Sequence, residues 1–397
     1  MVPRASHRDR LAALDGLRGI AALVVVLSHV VAGGVGALSA TLTLGGDPGG
    51  LAHWFMRTPL AVVWAGPEFV IVFFVLSGFV LTRALRTRPV ALGAFYAGRI
   101  VRLYLPAWLS LIPAALLLMA FPSTTHDATG VGFWLQTYTQ PVGLEEVARD
   151  AALVLPLSST HATLNGALWS LRWEVLFSLA LPFLLLAATP LRRLSLPVVL
   201  MALLCVDFSA GHPAMAFLPP FAVGMVLALH EERIARWREE LGGRGAFAFL
   251  AATLCLLGAD LWLPAAVRAQ GPGGAMVVAG AAAAVLCPLL YGSVAHHLQR
   301  RPVQWLGSRS FSLYLVHHPI VVACASALHR PGLVVLLVTA VPVSFLAAEA
   351  FFRAVERPAH RVAREATRQI GARRTIAAVT PARSQHVGVS ESRSVGP

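Results

Sequence analysis

Apolar stretches of about 20 residues alternate with short polar segments along most of this chain. A helix needs about 20 predominantly apolar residues to cross a hydrocarbon layer roughly 30 Å thick. By this criterion the sequence predicts ten spans, at about 14–37, 60–82, 101–121, 166–189, 194–210, 213–230, 246–263, 274–293, 310–328 and 332–352. The predicted fold class is therefore all-α, a polytopic membrane helix bundle of about ten transmembrane helices within residues 8–360.

The arginines between the predicted spans indicate the orientation of the chain. One side of the bundle holds most of them together with both termini, whereas the other side holds only Arg57, Arg149, Arg268 and Arg330. The positive-inside rule then places both termini in the cytoplasm. Residues 361–397 are polar and lack an apolar period, so we expect a disordered cytoplasmic tail there.

Composition agrees with a multi-pass protein of the inner (cytoplasmic) membrane, embedded in the lipid bilayer. The chain is 57% hydrophobic and 13% charged, with a mean hydropathy of +0.69, which leaves no room for a large soluble domain. All 32 basic residues are arginine, a bias typical of a GC-rich genome, so the net charge of +13 predicts no nucleic-acid partner. No metal is expected either, because the histidine pairs at 296–297 and 317–318 share no spacing with a carboxylate.

The first span carries the main candidate for chemistry, Arg18 and His29. Eleven residues separate them, which in a helix is about 1100° of rotation and a rise of about 16 Å. Both side chains therefore share one face at two depths. Ionisable residues inside a membrane are costly and suggest function. The alternative interpretation is a histidine satisfied by a neighbouring helix and an arginine that reaches the lipid headgroups.

Several further segments stand in a recognisable order. They are FFVLSGFVL at 73–81, GRIVRLYLP with Arg99 and Arg102, LWSLRWEVLFSLALP at 168–182 around Glu174, LGSRSFSLYLVHHP with His317, and VERP with Glu356. With Arg18 and His29, they resemble the membrane-bound acyltransferases of family 3, which include bacterial O-antigen acetylases. The resemblance implies transfer of an acyl group from coenzyme A, with His29 as the catalytic residue.

Coenzyme A carries phosphates at one end and a thioester at the other, so its site needs cations at the cytoplasmic rim and a base deeper in the bundle. Arg18, Arg99 and Arg102 are the predicted phosphate ligands, since guanidinium groups match phosphate oxygens. For Arg99 and Arg102 the alternative is a topological role at the end of a span. His317 precedes a proline that loosens its helix, so we expect it to face the same polar cavity and to contribute to donor binding.

Glu174 is the second predicted catalytic residue, and a carboxylate in a membrane needs a partner. It orients His29, or hydrogen bonds an acceptor hydroxyl, or forms an ion pair with Arg172. We further expect one internal tunnel with Arg18 at its mouth and His29 near its midpoint, lined also by His317 and by Glu174 or Glu349. In the second predicted span, the small residues Ser77 and Gly78 are expected to allow close helix packing.

The predicted function is transfer of an acyl group, most simply acetyl, from cytoplasmic acyl-CoA to a hydroxyl of a carbohydrate, a lipid-linked sugar or a secreted small molecule. Two routes are open: direct attack by the hydroxyl with His29 as base, or prior transfer of the acyl group to a protein side chain. The alternative functions are a proton-coupled transporter or exporter, which also buries arginine, histidine and glutamate, and a membrane scaffold without catalytic activity.

Overall fold

The computed structural model describes residues 7–34, 54, 57–87, 91–122, 143–153, 164–188, 213–268, 272–329 and 332–379. Regular structure in these ranges is helical. Seven of the helices are long and apolar enough to cross a membrane, and two shorter apolar helices cover 216–229 and 243–257. The predicted all-α, multi-pass fold class is confirmed. The predicted span at 194–210 lies outside the described residues, and the number of spans and the side of the termini stay predictions.

The helices are numbered here in chain order. They are α1 (His7–Gly34), α2 (Gly66–Thr87), α3 (Leu92–Ala120), α4 (Leu144–Ala152), α5 (Leu168–Ala188), α6 (Pro213–Leu229), α7 (Glu231–Glu240), α8 (Gly243–Leu257), α9 (Ala259–Trp262), α10 (Ala265–Arg268), α11 (Pro272–Leu290), α12 (Gly292–Leu298), α13 (Arg301–Ala327), α14 (Leu333–Phe351) and α15 (Arg357–Val379). A 3-10 helix (Pro59–Trp64) precedes α2, and a π-helical segment (Phe352–Glu356) joins α14 to α15.

Two helix boundaries differ from the prediction in ways that affect the site. The predicted span at 60–82 is divided before Gly66, because Pro67 lacks an amide N–H and disfavours helical geometry in the residue before it. Helix α3 begins at Leu92, nine residues before the predicted start at 101. Arg99 and Arg102 therefore lie inside a helix, where their side chains can turn toward the bundle.

Helix α1 lies between two hydrophobic cores. Leu17 and Val25 pack in a core with α2, α6 and α11, whereas Val26 and Val30 pack in a second core with α3, α13 and α14. Buried apolar residues therefore lie on both sides of α1. The polar side chains of this helix thus sit where the two cores meet.

The backbones of α1 and α13 approach closely at Gly19 and Gly307. A Cβ atom on Gly19 would lie only 2.6 Å from the Gly307 nitrogen, and one on Gly307 would collide with the Asp15 carbonyl. Ten residues further along each helix, about 15 Å away, His29 meets His317. The two helices are therefore parallel, as the ten-span prediction requires of its first and ninth spans.

Helix α15 corrects the predicted disorder of the C-terminal tail over residues 361–379, which are helical. Ala359 and Ala363, one turn apart, are buried. On the following turn the Thr367 hydroxyl lies 3.3 Å from the Ala94 carbonyl of α3. This side of α15 packs on α3, and a contact of that kind is invisible to a search for long apolar runs. Residues 380–397 lie outside the described part of the chain.

The crossing of α2 and α6 provides a test of the packing. A Cβ atom on Gly78 would collide with the Phe221 carbonyl oxygen, in agreement with the predicted close approach at this glycine. We expect Gly78→Ala to lower the free energy of unfolding by about 1–3 kcal/mol, as other overpacked sites do. Thermal unfolding of the detergent-solubilised protein measures this change.

The matched control is Gly243→Ala at the start of α8, where an added Cβ meets no atom within 4 Å. That substitution should leave the stability unchanged or slightly higher. Equal effects of the two substitutions would contradict the packing described here.

Candidate active site

A cavity of about 330 Å³ lies between α1, α2, α3, α5 and α13. It extends along α2 from Val70 to Leu81, a distance of about 16 Å. Its wall is largely apolar, with polar side chains at a few positions, which is typical of small-molecule sites. The polar and charged residues that line it are Asp15, Arg18, Ser77, Arg99, Arg102, Ser170, Glu174 and Tyr314.

Arg99 is held by two partners across the cavity wall. Its Nη2 atom lies 2.8 Å from Oε1 of Glu174 and 2.9 Å from the Ser178 hydroxyl. The Arg99 side chain is only 12% exposed and that of Glu174 is 26% exposed. The positive charge of Arg99 is therefore largely neutralised within the bundle by Glu174.

Arg18 and Arg102 differ from Arg99 in this respect. Arg102 has an exposed surface at the cavity and makes no hydrogen bond or ion pair with the part of the chain that the structure describes. Among the described residues, Arg18 forms one long ion pair, with Asp15 at 3.8 Å. Both guanidinium groups are available to an anion that enters the cavity.

A buried carboxylate lies behind these two cations. Glu356, only 4% exposed, accepts hydrogen bonds from the backbone N–H and the hydroxyl of Ser312. It also interacts electrostatically with Arg18 and Arg102. Glu356 thus offsets part of the positive charge without occupying the cavity.

Glu174 does not pair with Arg172, one of its three predicted roles. Arg172 instead donates from Nε to the Leu153 carbonyl at 2.8 Å. Side chains two residues apart on a helix point in directions about 200° apart, so the two cannot face each other. Nor does Glu174 orient His29: its carboxylate contacts Arg99 and, at 3.5 Å, the Ser77 hydroxyl.

His29 belongs to a cluster of three histidines. Its ring centroid lies 5.1 Å from that of His317 and 5.0 Å from that of His318. His317 Nε2 is 3.2 Å from His29 Nδ1. The His317 ring therefore lies beside His29 and apart from the arginines, and its expected contribution to donor binding stays a prediction.

Phe73, Ser170 and Tyr314 separate the cavity from the histidine cluster. The Tyr314 hydroxyl is 2.6 Å from the Ser170 hydroxyl, and its ring packs 5.8 Å from Phe73 on one side and 5.8 Å from His317 on the other. Arg18, Arg99, Arg102 and Glu174 line one cavity, as expected. The lining of this cavity includes neither His29 nor His317, so the cavity does not reach His29 as the predicted tunnel requires.

Glu349, the other carboxylate considered for the tunnel, lies away from it. Its carboxylate pairs with Arg309 at 2.8 Å and with Arg353 at 2.6 Å. Of the two carboxylates considered, Glu174 alone lines the cavity that the described residues form.

Helical spacing points to two site residues that were not singled out from the sequence. Tyr314 precedes His317 by three residues, and Ser170 precedes Glu174 by four. Residues at these spacings share a helix face. A search for polar residues one turn away from each candidate would have found both.

Comparison with known proteins identifies the family. A family model described as an acyltransferase domain matches residues 11–349, nearly the whole chain, and this range includes all the predicted site residues. The chain belongs to acyltransferase family 3. It is therefore a multi-pass membrane acyltransferase, which disfavours the transporter and scaffold alternatives. Comparisons with curated proteins and with solved structures give no significant match.

The Arg99–Glu174 pair generates a prediction on stability. Arg99→Met leaves the carboxylate without its cation, and breaking a fully buried pair costs roughly 3–5 kcal/mol. Since both side chains here retain some exposure, we expect a loss of about 2 kcal/mol. The double variant Arg99→Met/Glu174→Gln should recover more than half of that loss in thermal unfolding.

An exposed ion pair serves as the control. Arg149 and Glu145 are 2.6 Å apart on α4, with the Glu145 side chain 79% exposed. Arg149→Met should cost about 0.5 kcal/mol or less. If the double variant were as unstable as the sum of its two single variants, Arg99 and Glu174 would not act as a pair.

Proposed function

We propose that this acyltransferase moves an acyl group, acetyl in the first instance, from acyl-CoA to a hydroxyl of a glycan, a lipid-linked sugar or a secreted small molecule. The observation that carries the proposal is the arrangement of the cavity. Two arginines without strong partners lie at one end, and a buried histidine cluster lies beyond the other. A donor with phosphates at one end and a thioester at the other matches this order of groups.

Arg18 and Arg102 are the proposed phosphate ligands. Guanidinium groups bind phosphate oxygens bidentately, and neither group has to give up a strong internal ion pair to do so. Arg99 has a positioning role instead, since it already binds Glu174 and Ser178. The cavity volume is at the lower end of the range for ligand pockets, so it would hold the thioester and the arm next to it while the nucleotide stays at the arginine end.

His29 is the proposed general base. Its imidazole takes the proton of the acceptor hydroxyl as the hydroxyl oxygen bonds to the thioester carbonyl carbon. The carbon–sulfur bond then breaks, and the departing thiolate takes the proton from the imidazolium. The products are the ester and free coenzyme A, with no other reactant consumed.

The direct route has more support than transfer through a serine. Ser77 and Ser170 line the cavity, but their hydroxyls bond to Glu174 and Tyr314, and not to a histidine that would activate them. In the conformation described here Tyr314 lies between the cavity and His29. The direct route therefore requires that the side chains of Phe73 and Tyr314 move aside when both substrates are bound, as gating groups do in many enzymes.

The proposed orientation follows from the positive-inside rule. The arginine end of the cavity would face the cytoplasm, where acyl-CoA is made, and the acceptor would reach the histidines from the other side of the inner membrane. Purified protein incubated with labelled acetyl-CoA tests the donor through release of free thiol and transfer of label to extracted glycans, lipids or small molecules. Mass spectrometry of strains with and without the gene would then identify the acceptor. The proposal would be overturned if the protein released no free thiol from acetyl-CoA and transferred no label, and instead catalysed counterflow of a solute.

Substitution of His29 tests its role as the base. We expect His29→Ala to lower the rate constant for transfer by about 10²-fold to 10⁴-fold, the usual contribution of a general base, while the protein still folds and inserts into the membrane. His297→Ala is the control, because His297 is an exposed histidine on α12 and should retain full activity. A His29→Ala protein with near wild-type turnover would exclude His29 as the base.

Substitution of Arg102 tests the phosphate contact. Arg102→Gln should raise the KM for acetyl-CoA about tenfold, which corresponds to one lost charge-assisted hydrogen bond. The KM for acetyl-pantetheine, which lacks the nucleotide phosphates, should stay unchanged. Arg149→Gln on the exposed surface of α4 should affect neither donor. An equal change in KM for acetyl-CoA and acetyl-pantetheine would show that Arg102 does not bind the phosphates.

A further inference from the structure

Pro319 interrupts the backbone hydrogen bonding of α13 beside the histidine cluster. It lies inside this helix, directly after His317 and His318. In an α-helix each N–H donates to the carbonyl oxygen four residues earlier, and proline has no N–H. The Leu315 carbonyl oxygen, four residues before Pro319, therefore lacks its normal helical donor. An unsatisfied carbonyl is costly in a membrane interior, so a donor from outside the helix is expected there.

Asn165 supplies that donor. Its Nδ2 atom lies 2.8 Å from the Leu315 carbonyl oxygen and 3.2 Å from the Ser110 hydroxyl oxygen. Its Oδ1 atom accepts a hydrogen bond from the Ala167 backbone N–H at 3.2 Å. A carbonyl oxygen only accepts and a backbone N–H only donates, so these two contacts fix which end of the amide faces α13. The Asn165 side chain is also fully buried.

The segment that carries Asn165 is itself anchored. Its backbone is not helical and is buried at Leu164 and Asn165, where N–H groups need partners within the protein. Oδ2 of Asp150 accepts from the Leu164 N–H at 2.8 Å and from the Asn165 N–H at 3.2 Å. The segment is therefore fixed to α4 through Asp150 and to α13 through the Asn165 side chain.

The residue after Asn165 places this segment against the histidine cluster. A Cβ atom on Gly166 would lie only 2.6 Å from the His318 ring, so the Gly166 backbone packs directly on that imidazole. The His318 ring in turn meets His29 edge to face, with the two centroids 5.0 Å apart. The segment thus contacts α13 at Leu315 and at His318, which are three residues apart on one side of the helix. A shift of α13 at this point would move His318 relative to His29.

We infer that Asn165 is a positioning residue for acyl transfer. By binding the carbonyl that Pro319 leaves without a helical donor, it fixes this part of α13 and holds His318 against His29. The inference deepens the proposed function and rests on it, since the position of His29 matters to transfer only if His29 is the base. Asn165 does not line the cavity. Its loss should therefore slow the chemical step and leave the binding of acyl-CoA unchanged.

Asn165→Ser tests this role. Serine keeps an oxygen that can accept from the Ala167 N–H, but it is too short to reach Leu315. We expect kcat to fall about 10-fold to 100-fold, as when a catalytic group is displaced, with the KM for acetyl-CoA unchanged. Asn165→Ala, which loses both contacts, should lower kcat at least as far. Wild-type kcat in Asn165→Ser would overturn the inference.

Ser110→Ala is the matched control. It removes the second acceptor of Asn165 Nδ2 but leaves the bond to the Leu315 carbonyl in place. We expect wild-type kcat and KM in this variant. A loss of kcat equal to that of Asn165→Ser would show that the bond to Leu315 has no special role.

Pro319→Ala tests the reason for the contact. Alanine restores a backbone N–H four residues after Leu315, so the helix can supply its own donor. Asn165→Ser should then lower kcat much less in the Pro319→Ala background than in the wild-type background. If Pro319→Ala is itself inactive, thermal unfolding decides the same point, since Asn165→Ser should lower the unfolding midpoint less in that background. Equal losses in the two backgrounds would overturn the inference.

These measurements separate a failure of the inference from a failure of the proposed function. If the wild-type protein transfers no acyl group, the proposed function fails and the positioning role fails with it, whereas thermal unfolding still shows whether Asn165 and Pro319 are coupled. If transfer occurs and Asn165→Ser lowers the unfolding midpoint without changing kcat of the folded protein, Asn165 only stabilises the fold. The positioning role alone is then overturned.

Discussion

The close contact between α1 and α13 is the constraint on which the site depends. Gly19 and Gly307 allow the two backbones to touch, and a side chain at either position would push them apart. About 15 Å further along both helices, His317 Nε2 and His29 Nδ1 meet at 3.2 Å. A displacement by one helical turn would move them about 5.4 Å relative to each other. The glycine contact thus sets the register that makes the histidine hydrogen bond possible.

A second constraint is the cost of unpaired polar groups in a membrane, which is several kcal/mol for each group. Several charged side chains among the described residues are satisfied within the bundle. Arg99 binds Glu174, Arg309 binds Glu349, and Arg172 donates to a backbone carbonyl. Arg18 and Arg102 differ, because among the described residues Arg18 has only a long ion pair and Arg102 makes no hydrogen bond or ion pair. Their position at the cavity makes this difference meaningful, since a bound anion would supply the missing partner.

The site is also divided into two compartments of different character. The cavity side holds the cations and the Glu174 carboxylate, whereas the other side holds three imidazole rings packed against one another. Phe73, Ser170 and Tyr314 form the boundary, and their hydrogen bond and ring contacts close it in the present conformation. Under the proposed function, such a boundary would keep His29 away from a bound thioester until the side chains rearrange. It would thereby limit hydrolysis of the donor thioester.

The sequence by itself determined those features that belong to a single helix. A transmembrane helix satisfies its own backbone groups, so a local run of apolar residues was enough to predict α5, α6 and α14 within two residues at each end. Helical periodicity likewise predicted that Arg18 and His29 lie on the same face of α1, at two depths. The tertiary structure alone decided which arginine binds Glu174, which ring contacts His29, and where the cavity ends. These contacts join residues 75 positions apart for Arg99 and Glu174 and 288 apart for His29 and His317, and their partners depend on how the helices cross.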